Sequence, residues 1–175
     1  LFRSAPLYTA LRGSTTATIP TATKEGYIFN GWYTAASGGS QVITADGTIN
    51  ANVASWTNAS GQWIRTATAT GTSTATSRML YAQFTINSYT LTYNCSANGG
   101  STNQTASVNY NASADLSKTC TKLGWTFVGW NSSQSATTAL SSYTMPASAA
   151  TLYGIYSKSI TLTQLHGSST STQSH

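Results

Sequence analysis

The feature that most limits what this chain can fold into is a phrase written twice. Gly26 to Tyr33 reads GYIFNGWY, and Gly124 to Asn131 reads GWTFVGWN. Each has an aromatic residue, a phenylalanine two positions on, and then Gly-Trp. Large apolar side chains dominate core energetics, so two copies of one aromatic cassette predict two small cores of the same kind. A chain of 175 residues has room for two such units.

The second copy is complete. Tyr89 to Cys95 alternates apolar and polar residues as a half-buried strand does. Ala97 to Gly100 is turn chemistry, and Ala106 to Tyr110 alternates again as its hairpin partner. Asp115 to Lys122 reads as a short helical turn or an extended link. Then comes the octet, where Trp125, Phe127 and Trp130 are the candidates for buried area. The unit closes with Ser142 to Ala147 and a strand from Thr151 to Tyr156.

The first copy matches over Thr23 to Tyr33 and Leu80 to Phe84, but holds about 26 more residues between Trp32 and Leu80. The added stretch contains Asn58-Ala-Ser-Gly61, a hairpin turn by composition. It also contains Arg65 to Gly71, strict Thr/Ala alternation. The insertion, around residues 44–78, is expected to add a hairpin to one edge of the unit. Trp56 and Trp63 within it are the candidates for exposed glycan stacking; the competing reading is that one caps the core and the other packs on the hairpin.

These residues carry a family resemblance. TKEGYIFNGWYTAASGG, LYAQFTINSYTLTY and YTMPASAATLYGIY resemble the Listeria–Bacteroides repeat, the B-repeat of internalin-type surface proteins. The resemblance implies units of about seventy residues with a small β-grasp-like fold, exported and non-enzymatic. The first copy departs from it by lacking the Met-Pro-Ala step seen at Met145 to Ala147.

Composition fits an exported β protein. Roughly a third of the chain is Ser plus Thr, and charged residues make up 6%, against about 25% in ordinary soluble domains. Ten Tyr and five Trp argue against disorder. The net charge of +5 comes from dispersed residues without a basic stripe, so no nucleic-acid partner is expected. No apolar run approaches transmembrane length, so no membrane insertion is expected. The first residue is Leu, and a removed leader or a fragment both account for it. Cell-surface or extracellular placement is the expectation.

Catalysis is hard to build from these residues. The three acids are Glu25, Asp46 and Asp115, and both histidines, His166 and His175, lie at the C-terminal end. No catalytic residues, cofactor or metal site are expected. Cys95 and Cys120 read as one disulfide in an exported chain, worth about 3 kcal/mol by loop entropy; two unrelated buried thiols is the competing reading.

The copies are out of phase with the chain ends. Residues 1–86 form a unit without an opening strand, and 87–157 a complete one. Residues 158–175 are a tail in which Ser159 to Thr163 (SITLT) repeats Ser88 to Thr92 (SYTLT). The sequence therefore predicts donation of that strand, with Ile160, Leu162 and Leu165 as plugs. The acceptor groove is expected in unit 1 of another copy, lined by Leu7, Leu11, Tyr27 and Phe29. The expected partner is a second copy of the chain, giving a head-to-tail, pilus-like filament for surface adhesion. The alternatives are a monomeric adhesin or a carbohydrate-binding module using the insertion tryptophans. A tail folded back on its own unit 1, an excised piece of a longer array and a disordered linker compete as readings of 158–175, and the last nine residues are expected to be a mobile end.

Overall fold

The computed structural model describes residues 9–10, 22–64, 67–68, 79–163 and 170–174. The chain divides into two compact units, Leu1–Ile86 and Asn87–His175. Both are built from strands, as the Ser, Thr, Tyr and Val content favours.

Unit 1 contains β1 (Thr9–Ala10), β2 (Tyr27–Tyr33), β3 (Gln41–Thr44), β4 (Ala67–Thr68) and β5 (Tyr81–Ile86). Its main sheet has the order β3-β2-β5, and β1 pairs separately with β4. Unit 2 contains β6 (Ser88–Asn94), β7 (Gln104–Asn109), β8 (Thr126–Asn131), β9 (Ala150–Ser157), β10 (Ser159–Thr163) and β11 (Thr170–Ser174). Its main sheet has the order β7-β6-β9-β8. The inner pair β6/β9 is parallel, and both outer pairs are antiparallel.

The repeated octet becomes the same strand in each unit, with the same fault in it. The β2–β5 register slips between Phe29 and Gly31, and the β8–β9 register slips between Phe127 and Gly129. Each slip is a β-bulge, with Asn30 or Val128 as the extra residue. Strict alternation would put Phe and Trp, three positions apart, on opposite faces. The bulge returns them to one face. Phe29 packs edge-on against Trp32 at 5.7 Å, and Phe127 against Trp130 at 5.1 Å. The glycine lets the backbone turn there, with φ of 117° at Gly31 and 149° at Gly129. That is why Gly-Trp recurs: one residue makes the bulge and the next fills the core.

Ahead of each strand lies a matching turn. Tyr27 N–H donates to the Lys24 carbonyl at 3.1 Å, and Trp125 N–H to the Lys122 carbonyl at 3.0 Å. The lysine then folds over its own aromatic residue. Lys24 Nζ is 3.5 Å from the Tyr27 ring centre, and Lys122 Nζ is 4.1 Å from that of Trp125.

The cores are completed differently. Unit 2 closes with Leu91 and Tyr93 of β6, together with Cys95, Cys120, Trp130, Met145 and Leu152. Cys95 and Cys120 are joined by a disulfide that ties the end of β6 to the approach of β8. The Met-Pro-Ala step docks by backbone bonds: Met145 N–H donates to the Ala112 carbonyl, and Asn111 N–H to that of Met145. Unit 1 instead closes with Val53, Trp56 and Trp63 of the insertion, packed with Trp32, Val42, Ile43 and Leu80. The described part of the insertion therefore fills the core, where an added edge hairpin was expected. Its turn at Asn58 to Gly61 forms as expected, with Gly61 N–H donating to the Asn58 carbonyl. Thr57, buried beneath it, donates to the Asn50 carbonyl at 2.6 Å and accepts from Val53 N–H.

Candidate functional site

Two backbone features set this chain apart from a closed pair of units. The first is β10. Its five residues repeat the opening of β6, but their surroundings differ. Leu91 of β6 is wholly buried, whereas Ile160 and Leu162 of β10 are 48% and 56% exposed. β10 pairs antiparallel with β11, Ser159 opposite Ser174 through Thr163 opposite Thr170. The last nine residues, read from sequence as a mobile end, thus contribute a strand at Thr170–Ser174. The partner strand is made of Ser, Thr and Gln.

The second feature is the edge of β5. In unit 2 its counterpart β9 is an inner strand, with β6 beside it from Leu91 opposite Ala150 to Asn94 opposite Tyr153. Among the described residues β5 pairs with β2 alone. Edge strands present unpaired N–H and C=O groups to whatever can bind them.

The site residues read from sequence fall out unevenly. Leu165, Leu7 and Leu11 lie outside the described residues. Tyr27 and Phe29 are half-buried on β2, and Phe29 packs against Trp32 and Phe84. Trp56 and Trp63 are 5% and 1% exposed and meet edge-on at 6.4 Å. They are core residues, so the expectation of stacking platforms there is corrected. Trp125, expected inside, is the exposed tryptophan at 40%. It sits in the turn before β8 and precedes the bulge, so the core-facing indole is Trp130. That indole Nε1–H donates to the Lys118 carbonyl at 2.7 Å.

The acids serve their own loops. Asp46 accepts from the Thr44 hydroxyl and from Thr48 N–H, and these bonds hold its pKa below the usual carboxylate value. Asp115 accepts from the Ser117 hydroxyl at 2.6 Å and from its N–H at 2.9 Å, with the same consequence. Burial raises the Tyr93 and Tyr156 hydroxyls, and the Asp115 charge adds to the effect at Tyr93. His166 and His175 lie outside the described residues.

The Listeria-Bacteroides repeat domain model matches residues 8–55 and again 89–155. The chain belongs to the Listeria–Bacteroides repeat family. One matched segment falls in each unit, and the matches leave out β5, most of the insertion and all of β10 and β11. Internalin H of Listeria monocytogenes serovar 1/2a (strain ATCC BAA-679 / EGD-e) is 36% identical over 142 residues, 79% of this chain. The chain spans about a fifth of that relative, 21% of its length. No solved structure matches. The repeat family and this relative point to a surface protein. Among the described residues no helix is long and apolar enough to cross a membrane.

Proposed function

We propose that this chain is an extracellular structural module whose units are joined between copies by strand donation. β10 of one copy lies along the edge of β5 that pairs with no strand among the described residues, in unit 1 of the next copy and in the parallel sense that β6 takes beside β9. The observation that carries this reading is the SITLT segment. It repeats the opening strand of a unit, yet its two apolar side chains stand in water. Main-chain bonds supply the ladder, and each apolar side chain that becomes covered contributes about 1.5–3 kcal/mol. Insertion-derived tryptophans already cover the unit 1 core, so the joint draws more on the backbone ladder than on filling a groove.

A head-to-tail contact of this kind propagates into a filament unless it closes into a ring. Such filaments would serve surface adhesion. The test is the assembly state of the purified chain, by light scattering and negative-stain microscopy. The expected result is concentration-dependent fibres or rings. Ile160→Asp with Leu162→Asp should give monomers, as should an N-terminal extension copying Ser159 to Leu165. Monomers at every concentration for the unaltered chain, or fibres unchanged in both variants, would reject strand donation.

A further inference from the structure

We propose that unit 2 carries a binding site for an acidic sugar, a carboxylated residue of a polyanionic glycan, in a pocket beside Trp125. The pocket is about 420 Å³, within the range of small-ligand clefts. Its apolar surface comes from Val128 and Ile155, with Tyr156 and Lys122 on its walls. Val128 is the extra residue of the β8 bulge and is 45% exposed. The bulge therefore has a second consequence: while it turns Trp130 inward, it presents a valine to the opposite side.

The rim is braced by paired amides. Asn98 donates through Nδ2 to the Gly154 carbonyl at 3.0 Å and to that of Gln134 at 3.2 Å. Gln134 returns a bond from Nε2 to the Ala97 carbonyl at 3.1 Å. These bonds fix the loop that carries Ser135 and Thr137, whose residues also line the cavity. A site held this way loses little entropy on binding.

Charge selects the ligand class. Lys122 Nζ donates to the Asn98 carbonyl at 2.7 Å and lies 4.1 Å from the Trp125 ring centre and 5.2 Å from that of Tyr156. Lys158 Nζ approaches Trp125 from 5.8 Å. Among the described residues no carboxylate lines the pocket. The ammonium groups there meet a carbonyl and ring faces, and an incoming carboxylate would bring them a full counter-charge. Trp125 lies outside the lining and positions Lys122 at its edge, while the apolar floor of Val128 and Ile155 suits the C–H face of a sugar ring and the Ser and Thr residues suit its hydroxyls. The first unit has Glu25, Tyr27 and Asn30 where this one has Leu123, Trp125 and Val128. There Asn30 is bonded to Thr85, and a carboxylate replaces an apolar residue next to the lysine. The site is thus a property of unit 2.

The experiment is calorimetric titration of the full chain with tetragalacturonate, beside a neutral glucose tetramer, at low and raised salt. The expected result is binding of the acidic oligomer at least about tenfold tighter than the neutral one, weakened by salt. Lys122→Gln should cut affinity by about tenfold, and Lys122→Arg should retain most of it. Trp125→Phe should lower it less than Trp125→Ala, with folding of each variant checked by near-ultraviolet dichroism. Equal affinity for both oligomers, no binding of the acidic one, or binding indifferent to Lys122→Gln would overturn the assignment.

Discussion

Gly31 stands opposite Thr44 in the β2–β3 pair, and a β-carbon built on it would overlap the backbone carbonyl oxygen of Ile43. Backbone, unlike a flexible side chain, has little freedom to yield. Gly31→Ala should therefore destabilise unit 1 by about 3 kcal/mol or more, combining overpacking with a φ that L residues avoid. Gly124 is the control. Its φ is 73° but a β-carbon there would meet nothing within 4 Å, so Gly124→Ala should cost only about 1–2 kcal/mol. Urea unfolding read by hydrogen exchange in each unit separates the two. Equal costs would mean that the bulge tolerates a side chain.

The two buried tryptophans offer a matched comparison. Trp130 donates its indole N–H to Lys118, whereas the Trp32 indole nitrogen is buried with no hydrogen-bond partner among the described residues. Replacing Trp130 by Phe leaves the Lys118 carbonyl without that donor. Trp130→Phe should cost about 1 kcal/mol more than Trp32→Phe beyond the shared loss of ring volume. Denaturation midpoints of the two variants provide the measurement, and an inverted order would count against the role given to that bond.

The disulfide belongs to unit 2 alone. Its loop spans 25 positions, and Cys95→Ser with Cys120→Ser should lower the stability of that unit by about 3 kcal/mol. Exchange protection should fall in β6 to β9 and stay unchanged in β2, β3 and β5. A uniform loss in both units would show that they unfold as one.

Alkaline pH should act through Tyr93 and Tyr156. Their hydroxyls are raised by burial, most plainly where Tyr93 donates to the Asp115 carbonyl at 2.7 Å. The unfolded chain then ionises first, binds fewer protons than the folded one, and stability falls as pH rises above about 10. Tyr93→Phe and Tyr156→Phe should each flatten that decline in pH-dependent urea melts, whatever they cost near neutrality. The acid side runs the other way. Asp46 and Asp115 are lowered, first by their hydroxyl bonds, so their contribution is present above about pH 4 and lost below it. Both are fully exposed, so the acid decline should be the shallower one.

Much of unit 2 was legible because its signals are local. The alternation of Tyr89 to Cys95 and of Ala106 to Tyr110 marks β6 and β7, and the turn residues between them mark the hairpin. The cysteine pair also formed as read. The insertion was less legible. Trp56 and Trp63 flank a turn, and only the position of Trp32 and Leu80 across the core decides which way they face. Trp125 was misread for a related reason. A period of two carries Trp125 and Phe127 inward together, and a single unpaired residue, Val128, shifts the face that follows.

By itself the sequence determined that two aromatic cassettes would build two β units, and that a copy of an opening strand follows the second. Tertiary structure decided which tryptophan each core takes, that the insertion completes the first core, and that Ile160 and Leu162 remain in water. The physical reason is that strand propensity and alternation are encoded over a few neighbouring residues. Burial is a relation between segments far apart in the chain, and one bulge is enough to reverse it.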